Sequence, residues 1–485
     1  MSEMPNKQRR IVIVGAGLSG ALMACYMGRA GHRVDVYERR PDPRIKGFIG
    51  GRSINLAIST RGITALEKIG LADRVLQGVI PMKGRVMHDP HGQLTTQPYS
   101  KDPNESIKSI SRGGMNLTLL KEADTYDNVT LHFDRPCIDV DLENGVLIVE
   151  ANGKQERIDS DLIIGADGAF SAVREAMRKQ DDFEFQQDDL EHGYKELTIP
   201  PTADGEFAME PNALHIWPRP HPGTRNEGFM MIALPNQDKT FTCTCFWPFT
   251  GPTGFEAIRT EADVKPFFEK HFPDAVPLMP TLVEDFMKNP TSSLATVRCG
   301  PWNCGGHLVL IGDAAHAIVP FYGQGINAGF EDVRILDECL REYEDDWGKA
   351  LDVYYRRRKK NTDAIADLAL DNFIEMRDKV SSGAFLFKKK VEKTIHKIAP
   401  GWFTPLYNLI SFSNVPYAQA RAQYRAKWGI IVTTAIAIAL LLVSFVTISL
   451  WQTLSNDTTP DYNDIEDVPK PQIIEREPPD SDTNN

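Results

Sequence analysis

RIVIVGAGLSG, from Arg10 to Gly20, is the stretch on which the fold is decided. Ile11 to Val14 is an apolar, β-branched run, suited to a parallel strand buried on both faces. Gly15 permits a tight turn, Gly17 removes the side chain that would block a pyrophosphate, and Gly20 lets the next helix pack closely on the strand. That helix, through Ala21, Met23, Ala24 and Met27, aims its amide-rich start at the phosphates. A second strand, Arg33 to Tyr37, ends in Glu38, an acid at the distance expected of a partner for ribose hydroxyls. The pattern predicts a Rossmann-like α/β domain for an adenine dinucleotide, without separating FAD from NAD.

Two later stretches repeat the strand-to-glycine turn. In LIIGADGAFSAVR, Leu162 to Ile164 is an apolar run entering Asp167-Gly168, which taken alone reads as an ordinary turn. In HLVLIGDAAHAIVPFYGQGINAGFED, Leu308 to Ile311 is a strand capped by Gly312-Asp313, and Pro320, Gly323, Gly325 and Asn327 lead into a helix. An aspartate at a strand's end can accept hydrogen bonds from a chain of hydroxyls. Exposed amides at a helix start can sit against an electron-rich ring. Three such stretches in this order point to one FAD threading all of them. His316 reads as structural, since the sequence places no carboxylate or nucleophile beside it.

At 485 residues the chain has room for two or three domains, and its net charge of −12 gives nucleic-acid binding no electrostatic support. From Gln452 onward nine acidic and two basic residues, with many prolines, predict a disordered tail. Before it, the 22 residues from Gly429 to Leu450 carry no charge or proline and lie between Trp428 and Trp451. At about 1.5 Å per residue they reach roughly 33 Å, enough to cross a bilayer core. Arg421, Arg425 and Lys427 on one side and acids on the other predict a cytosolic catalytic portion. The first strand begins by Arg10, so no cleavable leader is expected. The seven cysteines lack the spacing of a zinc site, no metal is expected, and Cys243 and Cys245 read as strand core.

GRVMHDPHGQLTTQPYS, Gly84 to Ser100, reads as a hairpin with Asp89-Pro90-His91-Gly92 as its turn. Its arms would bring Arg85 and Tyr99 to a similar level, where an arginine fork and a hydroxyl suit a carboxylate. Spacing alone leaves a surface arginine and a core tyrosine equally open. The preceding GGRSINLAISTRG, Gly50 to Gly62, is equally distinctive. The lysines at 388, 389, 390, 393 and 397, among Phe385, Phe387, Trp402 and Phe403, suit either a membrane surface or a solvated helical face.

The three glycine-bearing stretches resemble the dinucleotide fingerprint and the DG and GD motifs of the class A flavoprotein aromatic hydroxylases. The resemblance implies that Asp313 contacts the flavin ribityl chain and that Gly323 to Asn327 line the isoalloxazine. The stretch around Asp167 would serve FAD and transient NADPH, and Arg112, in SISRGGMNLTLL, would open a helix near the flavin. No second GxGxxG follows another strand, which fits NADPH that binds briefly and leaves.

Within that class, the hairpin and the Gly50 stretch resemble the kynurenine-hydroxylating members. This implies that Arg85 and Tyr99 hold the amino-acid carboxylate of L-kynurenine. Asn372, in LALDNFIEMRD, would point toward substrate with Glu375 and Met376 on the adjoining turn, and Tyr407, in GWFTPLYNLI, would be a further contact. Phe246, in FTCTCFWPF, would form an aromatic wall. NADPH and O2 are the implied co-substrates. The ring amino group activates its neighbouring carbon, so no acid–base pair is assigned. A similar C-terminal anchor in eukaryotic members implies the mitochondrial outer membrane, while protein partners are not implied.

The expected architecture is a Rossmann-like FAD domain (1–77, 105–181 and 290–344) interleaved with an antiparallel substrate sheet (78–104 and 182–289). Helices over 345–427, one transmembrane helix over 428–451 and the acidic tail over 452–485 complete it. Two rival readings stand beside this one. A membrane-bound hydroxylase or epoxidase of a lipid or phenolic substrate would lack a carboxylate clamp at Arg85. The intact glycines, Glu38, Arg112 and Asp313 argue against a non-catalytic membrane-tethered flavoprotein scaffold, which substrate-stimulated NADPH oxidation would exclude.

Overall fold

The computed structural model describes residues 7–47, 55–100, 102–220, 228–379, 383–456 and 472. Residues 50–54 of the distinctive Gly50 stretch, and the tail from 457 apart from Gln472, lie outside the described residues. The chain divides into two units, Met1–Tyr424 and Arg425–Asn485.

In the first unit, the three motif strands lie side by side. A six-stranded sheet runs in the order Asn303–Cys304, Leu308–Leu310, Leu162–Gly165, Arg10–Val14, Arg33–Tyr37, Val129–His132. All pairs are parallel except the short first one. Val14 stands opposite Gly165, and Gly165 opposite Leu310. The three turns that follow therefore emerge at the same, C-terminal end of the sheet, where open α/β sheets bind ligands. Ile11 to Ile13, Leu162 to Ile164 and Leu308 to Leu310 are fully buried, as a parallel sheet covered on both faces requires.

A seven-stranded sheet runs Ser292–Gly300, Glu184–Ile199, Phe241–Pro248, Phe229–Pro235, Ala213–Arg219, Gly84–His88, Leu94–Pro98. Its pairings are antiparallel with one exception: Gly84–His88 runs parallel to Ala213–Arg219, with Gly84 opposite Ala213. Ser292–Gly300 pairs with Glu184–Ile199 and so continues this sheet past the boundary expected at 290. Cys243 and Cys245 are buried in it, and all seven cysteines are free thiols.

A buried charge network ties the third glycine turn to the helices beneath it. Asp332, on the helix Gly325–Glu342, accepts from Gly312 N at 2.9 Å, from His316 Nε2 at 2.5 Å and from Arg358 Nε at 2.6 Å. Arg358, on the helix Trp347–Ile374, also meets Glu331, which accepts in turn from Arg61 at 3.1 Å. Arg61 lies 3.9 Å over the Tyr417 ring. The expectation that His316 has no carboxylate beside it is thus corrected: Asp332, sixteen positions on, is brought there by the helix. His316 still acts structurally, holding the turn.

Burial pushes the Glu331 and Asp332 carboxyls up, but Arg358, Arg61 and His316 outweigh it and hold both below the usual carboxylate range. A carboxylate depressed in the folded state adds stability above its unfolded pKa and loses it as pH falls through the folded value. Arg358→Leu, which removes the cation shared by two buried carboxylates, is expected to cost about 3–5 kcal/mol at neutral pH. The gap to wild type should narrow as pH falls below the ordinary carboxylate values near ~4 and through the depressed folded ones. Denaturant titrations at several pH values check both the size and the sign.

The second unit contains the apolar residues 429–450 within the helix Tyr417–Asn456. Among the described residues this is the one helix long and apolar enough to cross a membrane. Its leucines, valines and Phe445 are exposed. So long an exposed apolar surface makes this helix a candidate membrane span.

Candidate active site

The first glycine turn is shaped to receive a pyrophosphate. Gly15 has φ of 101°, and a Cβ there would lie 2.6 Å from Ala166 O; one on Gly20 would lie 1.9 Å from Gly15 O. Both positions are closed to any other residue. A Cβ on Gly17, the N-cap of the helix Leu18–Arg29, meets nothing within 4 Å and would project into open space. Glu38 Oε2 accepts from Ala16 N at 2.8 Å and Oε1 from Arg40 N at 3.0 Å. A carboxylate has about four acceptor positions, so two remain for ribose hydroxyls. Asn116, which sequence reasoning passed over, donates to Ala16 O at 2.9 Å and braces the same turn.

The second turn works through its backbone. The Asp167 carboxylate accepts from Ser171 Oγ at 2.5 Å and from the amides of Ala172 and Val173, capping the helix Ala172–Met177. Its side chain is therefore committed within the protein. Gly168, with φ of 84° and open space where a Cβ would stand, forms the exposed part of the turn. Buried Arg174 donates to Ala169 O at 2.6 Å and Ala314 O at 3.0 Å, fastening the second turn to the third.

At the third turn Asp313 is exposed, as is Arg112 at the start of the helix Arg112–Ala123, and neither has a hydrogen-bond partner among the described residues. Gly323 takes the left-handed conformation with φ of 66°, and Gly325 opens the helix that follows. Asn327 is fully buried: Oδ1 accepts from Ser59 N at 2.8 Å, and Nδ2 donates to Ala57 O and Gly323 O, both at 2.9 Å. It positions the turn and leaves the amide no spare group. The open cradle at Gly17, the free acceptors of Glu38 and the uncommitted charges of Arg112 and Asp313 fit a dinucleotide running across the three turns.

Arg85, Tyr99 and Tyr407 come together beyond the third turn. In the hairpin Arg85 pairs with Gln97, so Tyr99 is its diagonal neighbour on the same face. Gly84 lies between them, and a Cβ there would stand 2.6 Å from Gln97 O. Gly84→Ala is therefore expected to shift the pair and cost about 1–3 kcal/mol of stability, measured by denaturation alongside a rise in substrate KM. The Arg85 guanidinium carbon lies 5.4 Å from the Tyr99 ring centre and 5.0 Å from that of Tyr407. The two rings stack at 4.9 Å, and Tyr322 stacks on Tyr407 at 5.6 Å.

Arg85 is buried, its Nε has no partner, and no carboxylate is hydrogen-bonded to it among the described residues. Burial opposes its charge, but Tyr99, Tyr407 and Glu375 outweigh that, and its pKa is raised. A buried cation with no hydrogen-bonded carboxylate is costly, which makes Arg85 a candidate partner for an anionic ligand.

Around it lies an aromatic cluster: Phe246 meets Phe321 edge-on at 4.9 Å, and Phe321 stacks on Phe373 at 4.1 Å. Met376 and Tyr407 pack in the same cluster. Asn372 donates to Phe321 O at 2.7 Å and contacts Met376 Sδ at 3.2 Å. Glu375 begins a π-helical turn, Glu375–Lys379, and lies 3.5 Å from Lys389 Nζ. Such turns are frequent at functional sites. Sequence reading missed Phe321, Tyr322 and Phe373, although PFY sits directly before Gly323.

Comparison with known proteins accounts for this combination. Residues 8–369 match the FAD binding domain family model. The chain is 48% identical to the kynurenine 3-monooxygenase of Myxococcus xanthus over 84% of this chain and 87% of that one. It is 44% identical to the Anopheles gambiae enzyme of the same name, over 86% and 85% respectively. The fold is that of 2-methyl-3-hydroxypyridine-5-carboxylic acid oxygenase, at a TM-score of 0.62 and 19% identity, covering 79% of this chain and 96% of that one. With its three aligned glycine turns and this match along most of its length, the chain belongs to the kynurenine 3-monooxygenase family of FAD-dependent hydroxylases.

Proposed function

We propose that the protein hydroxylates L-kynurenine to 3-hydroxykynurenine, consuming NADPH and O2, in tryptophan degradation and NAD biosynthesis. The observation that supports the substrate assignment is Arg85, buried and with no hydrogen-bonded carboxylate among the described residues, beside two stacked tyrosine rings at the edge of an aromatic cluster. FAD, reduced by NADPH, supplies the activated oxygen that is added to the ring. Glu38, Gly17, Arg112, Asp313 and the Gly323–Gly325 backbone would hold it, with Asp167 and Asn327 fixing the turns.

The protein's own part is binding and orientation. Arg85 and Tyr99 receive the amino-acid carboxylate, with Tyr407 stacked behind Tyr99. Phe246 and Phe321 fix the plane of the ring, while Asn372, Glu375 and Met376 close the remaining side. The aryl amine of the substrate already directs electron density to its neighbouring carbon, so no side chain need remove a proton to start the reaction. Dry aromatic walls keep water from the reacting centre.

Kynuramine, which keeps the aminophenyl ketone but lacks the carboxylate, tests this reading. It is expected to stimulate NADPH oxidation at least ~100-fold less efficiently than L-kynurenine, the worth of about 3 kcal/mol of charge-assisted hydrogen bonding. Equal efficiency of the two compounds would refute the clamp.

The apolar helix and the cations just before it favour a membrane anchor that leaves the catalytic unit in the cytosol; the organelle, the mitochondrial outer membrane, is suggested by the resemblance to eukaryotic family members alone. Protease treatment of intact mitochondria should digest the catalytic unit, and alkaline extraction should leave the span behind. Protection from the protease would contradict that placement.

A further inference from the structure

The helix Gly383–Ile398 presents an outer face that water does not explain. Leu386, Phe387, Lys390, Lys393, Thr394, Lys397 and Ile398 recur at intervals of three and four and fall on one side. Phe387 is 69% exposed, Leu386 45% and Ile398 77%, and Trp402, just beyond, is 41% exposed. Lys390 and Lys397 stand among these apolar groups, with no acid on that side, and Lys393 beside them donates to Pro98 O at 3.5 Å.

The helix's single carboxylate, Glu392, is buried and faces Lys388 and Lys389 at 3.8 and 3.7 Å. A merely solvated face would mix both signs of charge and hide its phenylalanine. Apolar side chains that can sink below a headgroup layer, lysines that can reach its phosphates and an interfacial tryptophan match an interfacial helix.

We infer that this face of Gly383–Ile398 rests on the anionic surface of the bilayer, as a second membrane contact separate from the spanning segment. This rests on the proposed anchor: a span beginning about thirty residues later in the chain would already hold the protein at a bilayer, so a modest surface affinity is enough to keep the helix there. An anionic surface attracts each nearby lysine, an effect that fades within a Debye length and weakens with salt.

Full-length protein in phosphatidylcholine nanodiscs, with or without phosphatidylserine, provides the test, read by amide hydrogen exchange. Phosphatidylserine is expected to slow exchange over Gly383–Ile398 roughly tenfold, and added salt should reverse the effect. K390E/K397E should lose the slowing while the 429–450 segment stays protected and turnover in detergent is unchanged. Equal exchange in both discs, or slowing that persists in the double variant or in high salt, would overturn the inference. So would protection that appears in detergent and grows with protein concentration, because the face would then be covered by a second copy of the chain. Should the variant fold poorly, the salt dependence of the wild-type protein alone decides.

Discussion

Replacing Arg85 with alanine is expected to lower kcat/KM for L-kynurenine by about three orders of magnitude. Truncating one partner of a buried, hydrogen-bonded charge pair costs roughly 2–5 kcal/mol, and each 1.4 kcal/mol is about tenfold. The guanidinium lies beside the stacked rings of Tyr99 and Tyr407 with no hydrogen-bonded carboxylate among the described residues. Its removal should thus stabilise the free enzyme, if anything, and the loss falls on substrate binding.

Two further results should accompany it. Arg85→Lys keeps the charge but not the planar fork, and should fall between wild type and alanine. Kynuramine, with no carboxylate to lose, should discriminate little between wild type and Arg85→Ala. Unchanged KM for L-kynurenine, together with unchanged coupling of NADPH oxidation to hydroxylation, would remove Arg85 from the clamp.

The second large effect is expected at the first glycine turn, where two glycines three residues apart should fail in different ways. Gly17→Val places its side chain in the open space before the helix start, so the protein should fold yet hold FAD on the order of a hundredfold more weakly, about 3 kcal/mol. Gly20→Ala drives a methyl group into Gly15 O, a backbone atom that cannot yield, and should prevent the strand and helix from packing. Flavin absorbance after gel filtration, beside thermal unfolding of the same samples, separates the two. A Gly17→Val protein that retains its flavin at wild-type strength would move the pyrophosphate elsewhere.

The parts of this structure carried by short-range signals were legible in the sequence. Arg10–Val14, Leu162–Gly165 and Leu308–Leu310 announce themselves by apolar runs that lead into glycine turns, and the hairpin by its Asp-Pro-His-Gly turn. The network Arg61–Glu331–Arg358–Asp332–His316 was not legible. Its members lie on helices far apart in the chain, and a buried charge on an amphipathic helix looks like a solvated one until its partner is known. The parallel pairing of Gly84–His88 with Ala213–Arg219 joins strands about 130 residues apart for the same reason.

Asp167 illustrates a subtler limit. Its motif is local and was found, but Ser171, a capping residue four positions on, diverts the carboxylate into the helix start. The capping pattern was there to be read. The aromatic walls Phe321 and Phe373 were hidden differently: apolar residues in a loop and a helix carry no sign of which neighbour they will face.

On the proposed mechanism, the Arg85 clamp and the flavin turns serve one reaction, the hydroxylation of an aromatic amino acid. Full-length protein in detergent, supplied with L-kynurenine, NADPH and oxygen-18 gas, tests it directly by mass spectrometry of the product. One labelled oxygen on the aromatic ring, beside the amino group, for each NADPH consumed is the predicted result. NADPH oxidation that yields only labelled hydrogen peroxide, with kynurenine recovered unchanged, would contradict it.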